Sequence, residues 1–547
     1  MRERWPRRPP GAASAVRALW IATTIAVAFL VIGGQLLRLA AMKPESLRLQ
    51  VASEPVAESH SRPDIVDRNG RLLATDLEGH SLYADPALVL DRDLVVERLA
   101  GILADIDVAG LKRQLADRSR RFVWVRRGLT PGLAQRIHDL GLPGLGFRRE
   151  PIRTYPAGRL AGHVLGGVSI DNRGLSGLER HIDEVFGVEP TLGTFDANRP
   201  QVRTTIDIGV QHSIEEELAA AVARHSAAGA SAVILDVESG EVLGAASLPE
   251  ANPARPAEAQ EAFRIDRLRT ATYELGSIFK TVTIAMALEL GIVSPDTIVD
   301  VRVPLRVGRF LIRDLHPAGR PLTVREVFIR SSNIGAGRIA LATGVERQRA
   351  FLQRLGLTEP MRTEAGPVAP PQLPNPWGTS ALVTVSYGHG IAVAPLQFAA
   401  AAAALVNGGY RVTPTFIVRS GYLASGLSPT DPVIAPETSA TIRGLLRRNV
   451  TQPGGSGRRA DVAGYEVGGK TGTAEIAANG SYQETAVVAS FLAVFPTSAP
   501  RYLLLVTIQE PRPSAETQGE ITAGHTAAPV AAKIIARAGP LLGLATH

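Results

Sequence analysis

The 547-residue chain has no cysteine, which excludes disulfides, cysteine–zinc sites and thiol catalysis while leaving an oxidising compartment open. Aromatic residues make up only 5% of it, and of its 59 basic side chains only five are lysines, Lys43, Lys112, Lys280, Lys470 and Lys533. Arginine stays protonated at any accessible pH and is a poor general base, whereas burial or a neighbouring cation lowers the pKa of a lysine amine. A lysine kept where arginine is the default is therefore a candidate for chemistry, with codon bias as the competing explanation. The eleven histidines are scattered and no His-Glu-x-x-His occurs, which argues against a zinc hydrolase.

Charge is also lacking from Ala18 to Leu37, a run made mostly of Ala, Leu, Ile and Val. Twenty residues of helix reach about 30 Å, the thickness of a bilayer's hydrocarbon core. Arg2, Arg4, Arg7, Arg8 and Arg17 precede the run, which predicts an uncleaved anchor with its N-terminus inside and the rest exported. A cleaved signal peptide is the alternative; its apolar core would be shorter and would end in a small-x-small site. The net charge of +7 raises nucleic-acid binding, and Arg118 to Arg127 interleaves arginines with Phe122 and Trp124. Arginines nevertheless occur throughout, beside 52 acidic residues. The stretch reads better as a strand with a solvated basic face, or as one that holds an anionic membrane or wall polymer, and no nucleic-acid partner is expected.

Three short segments carry the chemistry. In Gly276-Ser277-Ile278-Phe279-Lys280 the pattern turns helical after the glycine and stops near Gly291. Ser277 then stands in a first turn, where free N–H groups favour a developing anion, and Lys280 lies on the same face within reach of its hydroxyl. That is one way for a serine to acquire a base without histidine. By itself the tetrad also fits an ordinary helix surface. Ser331-Ser332-Asn333 offers a hydroxyl and a carboxamide at i and i+2, which alone reads equally as a turn or an N-cap. Lys470-Thr471-Gly472-Thr473 reads as a strand whose glycine lets a ligand backbone approach; a P-loop lacks its upstream glycine and its helix.

In this order, Ser-x-x-Lys, Ser-x-Asn and Lys-Thr-Gly resemble the motif set of penicillin-binding proteins. The chain resembles the class B type, most closely the septal transpeptidases of cell division. Ile65 to Ala74, Arg153-Thr154-Tyr155-Pro156, Gly174 to Glu179 and Thr204-Thr205-Ile206-Asp207 look like further family motifs. One departure is Pro63, where the family more often has glycine after the arginine.

The resemblance implies an α+β architecture: an antiparallel sheet sandwiched by helices, plus a helical lobe, preceded by a β-rich pedestal module and one transmembrane helix. The expected division is a cytoplasmic tail at 1–17, an anchor at 18–40, a non-catalytic pedestal or dimerisation-type module at 41–205 and a transpeptidase domain at 206–547. The implied roles are Ser277 as nucleophile, Lys280 as base and Ser331 as proton relay. Asn333, Lys470, Thr471, Gly472 and Thr473 bind substrate, Asn333 through the substrate amide or else by bonding Lys280, with no metal and no cofactor. The substrates are peptidoglycan stem peptides, a D-Ala-D-Ala donor and an amine acceptor, with β-lactams as acylating mimics. A membrane SEDS-type glycosyltransferase and divisome proteins are the implied partners, and the inner membrane the location. The competing readings are an elongation-type transpeptidase, a D,D-carboxypeptidase or β-lactamase, and a non-catalytic β-lactam sensor or divisome scaffold. Helices are expected near Leu94–Leu103 and Pro131–Leu140, a hairpin about Ser239-Gly240, and mobile loops at 252–256, 367–376 and 454–457.

Overall fold

The structure, a computed structural model, describes Trp20 and residues 22–34, 62–186, 201–308, 310–419, 432–478 and 481–545. Two units divide the chain, residues 1–59 and 60–547. In the first, residues 22–34 are helical and expose Phe29 and Leu30. The rest of the expected anchor and the basic tail lie outside the described residues. Among the described residues, no helix is long and apolar enough to cross a membrane.

The second unit begins with a sheet built on the long strand Leu72–Ala84, which pairs antiparallel with Val123–Leu129, Leu145–Thr154 and Asp64–Val66. Asp64–Val66 also pairs, in parallel, with Gln201–Arg203. Asp91 caps the helix Arg92–Ala100 by accepting from Leu94 N, and Pro131 opens the helix Pro131–His138. The basic–aromatic stretch forms a strand whose arginines find carboxylates within the chain: Arg121 with Asp85 at 2.9 Å, Arg126 with Asp105 at 2.8 Å and Arg127 with Glu150 at 3.0 Å. Residues from the distant motifs meet in one buried ionic cluster. Arg62 Nε lies 2.9 Å from Glu179 Oε2, and Arg153 Nε lies 2.7 Å from Glu179 Oε1. Arg153 Nη1 reaches Asp76 at 3.2 Å, and the Tyr155 hydroxyl donates to Glu179. Charges this deeply buried are tolerated only because each has partners on several sides.

The larger sheet has five antiparallel strands, in spatial order Gly468–Ala478, Ser481–Phe495, Tyr502–Gln509, Gly229–Asp236 and Val242–Leu248. The hairpin expected about Ser239-Gly240 joins the last two. Alternate side chains of Tyr502–Gln509 face opposite layers, as strand geometry requires. Leu504, Val506 and Ile508 pack against the helices Ile208–His225 and Ala527–Leu541. Leu503 and Leu505 face the layer built from Lys280–Glu289, Pro395–Val406 and Pro436–Thr451. Both faces being covered, all eight residues of Tyr502–Gln509 are buried. The helices Val324–Ile329, Asn333–Thr343 and Val345–Arg354 continue the second layer into a helical lobe. The cleft opens where that lobe meets the edge strand Gly468–Ala478.

Candidate active site

Ser277 lies in a 3-10 turn, Gly276–Phe279, and the α-helix begins only at Lys280. The expectation of an α-helical first turn is thus corrected by one tighter turn. Its cause is Gly276, whose φ of +58° swings the chain sharply before the serine. The same glycine seats the nucleophile turn against the lysine strand, because a Cβ there would lie 2.7 Å from Thr473 O. Gly472 does so from the other side: its Cβ would fall 2.2 Å from Leu275 O. Neither position admits a side chain, so backbone meets backbone beneath Ser277.

All three motifs converge on two amines. Lys280 Nζ lies 2.7 Å from Ser277 Oγ, 3.2 Å from Ser331 Oγ, 2.8 Å from Ser331 O and 2.6 Å from Asn333 Oδ1. Lys470 Nζ donates to Ser331 Oγ at 3.0 Å and to Thr471 O at 3.1 Å. Both lysines are fully buried. Burial first, and the charge of Lys470 second, hold the Lys280 amine well below its ordinary value, with Asp314 opposing them. Burial alone pushes Lys470 down to about 7. The partners of Lys280 then decide its polarity. A neutral amine has two N–H bonds and one lone pair, and two of its four neighbours, Ser331 O and Asn333 Oδ1, can only accept. They take the two N–H bonds, which leaves the lone pair for a hydroxyl, and Ser277 Oγ is the nearer one. Asn333 is therefore a partner of Lys280.

The Ser-x-Asn turn is held by a residue that sequence reading missed. Ser331 has a φ of +59°, an unfavourable conformation for serine. Directly after it, Ser332 caps the helix Asn333–Thr343 and donates to Asp314 Oδ2 at 2.6 Å, while Ile334 N donates to Asp314 Oδ1 at 3.0 Å. Asn333 Nδ2 donates to Arg313 O at 3.4 Å. Nothing local marks Asp314, which lies between arginine and leucine in the irregular segment that follows the hairpin of Leu305–Val307 and Phe310–Ile312. The segment Tyr387-Gly388-His389-Gly390 also escaped notice, although its two glycines were a signal. Gly276 N donates to Gly388 O at 3.3 Å, and the Tyr387 ring centre lies 6.0 Å from Lys280 Nζ. Burial and Lys280 together push His389 down to about 4, so it is neutral at physiological pH.

On the lysine strand, Thr473 Oγ1 accepts from Ala523 N at 3.1 Å and keeps its proton to give. Thr471 Oγ1 instead donates to Ser456 Oγ at 2.6 Å. The loop at 454–457 is thereby tied down, not loose as expected, and Asn449 holds it further by accepting from Ser456 N at 3.2 Å. The loop at 367–376 is likewise anchored, through Ala369 N to Arg269 O and the pairing of Gln372 with Ala392. The assembled site holds a serine against an amine whose pKa burial drives down, with a second, titratable amine and the Thr473 hydroxyl beside it. It is equipped for acyl transfer to serine from a substrate ending in a carboxylate.

Comparison with known proteins agrees with this reading. Residues 230–536 match the penicillin binding protein transpeptidase domain, and residues 58–186 match the penicillin-binding protein dimerisation domain. The chain is 36% identical over 492 residues to a probable peptidoglycan D,D-transpeptidase FtsI of Caulobacter vibrioides, covering 88% of this chain and 82% of the relative. With the peptidoglycan D,D-transpeptidase FtsI of Escherichia coli K12 it shares 30% identity over 518 residues, covering 89% and 83%. Penicillin-binding protein 3 of Mycobacterium tuberculosis, solved in complex with aztreonam, has the same fold, with a TM-score of 0.67 at 24% identity over 89% of this chain and 97% of that one.

Proposed function

This chain belongs to the class B penicillin-binding proteins, and from that membership and the geometry of its cleft we propose that it is a peptidoglycan D,D-transpeptidase of septal wall synthesis, acylated by β-lactams. The observation that supports the chemistry is the buried Lys280 amine, its pKa lowered, 2.7 Å from Ser277 Oγ and bonded to the acceptors Ser331 O and Asn333 Oδ1, so that once neutral its lone pair is left for the serine.

Ser277 Oγ adds to the carbonyl between the two terminal D-alanines of a donor stem while Lys280 takes its proton. Backbone N–H groups of Ser277 and Thr473 receive the oxyanion, a contribution of roughly 3–4 kcal/mol per donor. Ser331 Oγ, bonded to both amines, passes its proton to the departing D-alanine nitrogen and regains one from Lys280, which so gives up the proton taken from Ser277. The C–N bond breaks and the acyl-enzyme remains. Lys470 and Thr473 hold the terminal carboxylate before that step, and Lys470 is drawn to its charged form by the anion. An amine of a neighbouring stem then attacks the ester, forming the cross-link and returning the proton to Ser277.

The location proposed is the cytoplasmic membrane, with the run from Ala18 to Leu37 as anchor and the arginines before it inside. A membrane glycosyltransferase of SEDS type and other division proteins are its partners on this reading. Cross-linking of lipid-linked precursors by the full chain and by Ser277→Ala tests the enzyme. Loss of product in the variant supports the proposal, and equal product from both overturns it. N-terminal sequencing of the mature protein tests the anchor: a start near residue 41 would mean that the run is removed.

A further inference from the structure

The two threonine hydroxyls of the lysine strand are in opposite states. Thr473 Oγ1 accepts from Ala523 N and retains its proton, whereas Thr471 Oγ1 spends its proton on Ser456 Oγ at 2.6 Å. Ser456 in turn donates to Asn449 Oδ1, over a longer 3.3 Å. A hydroxyl has one proton, so in this state Thr471 offers an incoming carboxylate only lone pairs. The Asn449 end permits a reversal. Its side chain is fully buried, and Nδ2 is fixed by Gly469 O at 2.8 Å, one residue before Lys470. Oδ1 accepts a second bond, from Ser456 N at 3.2 Å. When the Ser456 hydroxyl turns away, Oδ1 keeps this backbone donor, and no buried polar atom is orphaned. Only the longest bond of the series is given up.

We propose that Ser456 is a positioning residue for carboxylate recognition. As the anion enters, Thr471 turns its proton toward it, and Ser456 swings its own O–H from Asn449 onto Thr471 Oγ1. The Ser456–Thr471 contact persists in both states with donor and acceptor exchanged, so the threonine oxygen does not move when its polarity changes. No covalent bond is made or broken. The inference rests on the transpeptidase reading above, in which the lysine strand receives the carboxylate of the donor stem.

The test compares acylation of the full chain, in detergent, by a penicillin with its free carboxylate and by the methyl ester of the same penicillin. The wild type is expected to favour the acid. Ser456→Ala should cut that preference by about three- to tenfold, the scale of one neutral hydrogen bond. Ser456→Thr, which keeps the hydroxyl, should restore it. In a Thr471→Val background Ser456→Ala should do nothing further, because its effect passes through the threonine hydroxyl. An undiminished acid preference in Ser456→Ala overturns the relay, as does an equal loss in the Thr471→Val background. A wild type without acid preference overturns instead the carboxylate reading, and the relay with it.

Discussion

Asp314 lies outside the three motifs, yet its replacement should be felt by all of them. Asp314→Ala removes two acceptors from the turn that presents Ser331, one for the Ser332 hydroxyl at 2.6 Å and one for Ile334 N at 3.0 Å. Ile334 N belongs to the first turn of its helix, where no carbonyl of the helix can take it. A hydrogen bond to a charged acceptor contributes about 1.5–3 kcal/mol. Asp314 is half-exposed, so water recovers part of both, and a net loss of about 2 kcal/mol is reasonable. Ser331, at a φ of +59°, stores strain of about 1–3 kcal/mol that favours relaxation once the clamp is gone. The arrangement with Ser331 Oγ between the lysines should then be populated about 10–100 times less, and the plateau rate of acylation should fall by that factor. The pH profile should move as well. The negative charge of Asp314 raises the Lys280 pKa, so its removal lets that amine fall further. Lys280 acts as a base only when neutral, so the ascending limb should shift to lower pH while the plateau drops. Stopped-flow acylation by a fluorescent penicillin across the pH range reads both quantities, and a thermal melt checks the fold. A plateau within twofold of wild type, or a limb moving to higher pH, would refute the reasoning.

Lys280→Arg should lose acylation by about 100-fold or more, because guanidinium cannot accept the serine proton; an intact-mass adduct formed at the wild-type rate would contradict this. Lys470, pushed down to about 7, holds a carboxylate only when charged. The second-order rate for acid ligands should therefore decline as pH rises past about 7, while ester ligands show no such limb; identical profiles for the two would remove Lys470 from anion binding. Arg153→Met leaves Glu179 and Asp76 short of a buried partner, a loss of about 3–5 kcal/mol. The melting midpoint of the N-terminal module should drop while penicillin still acylates Ser277 in the cold, and an unchanged midpoint would show the cluster to be neutral for stability.

Much of the site was legible along the chain because its motifs are local. Ser277 and Lys280 share a turn, Ser331 and Asn333 flank a cap, and Lys470 to Thr473 share a strand, so spacing alone places each set. Glycines added to this: Gly276 and Gly472 stand where backbone must approach backbone, and no larger residue fits. The Ser-Gly turn also marked the hairpin about Ser239-Gly240, and the helices expected near Leu94–Leu103 and Pro131–Leu140 stand at Arg92–Ala100 and Pro131–His138. Composition named the two lysines but not what makes them work.

What they do was decided by packing. Lys280 meets Asn333 from 53 residues away, and Lys470 meets Ser331 from 139, so the shared hydroxyl between them exists only in the folded cleft. Their lowered pKa values come from the exclusion of water, which depends on everything packed around them and on no residue beside them in sequence. Asp314, Asn449 and Ser456 carry no motif, and each looks like an ordinary loop or helix residue until the fold aims it at the Ser-x-Asn turn or the lysine strand. The ion cluster of Arg62, Asp76, Arg153 and Glu179 is of the same kind. A sequence can show that charges and hydroxyls are present, but which of them share a dry space, and hence which protons can move, is a property of three-dimensional burial.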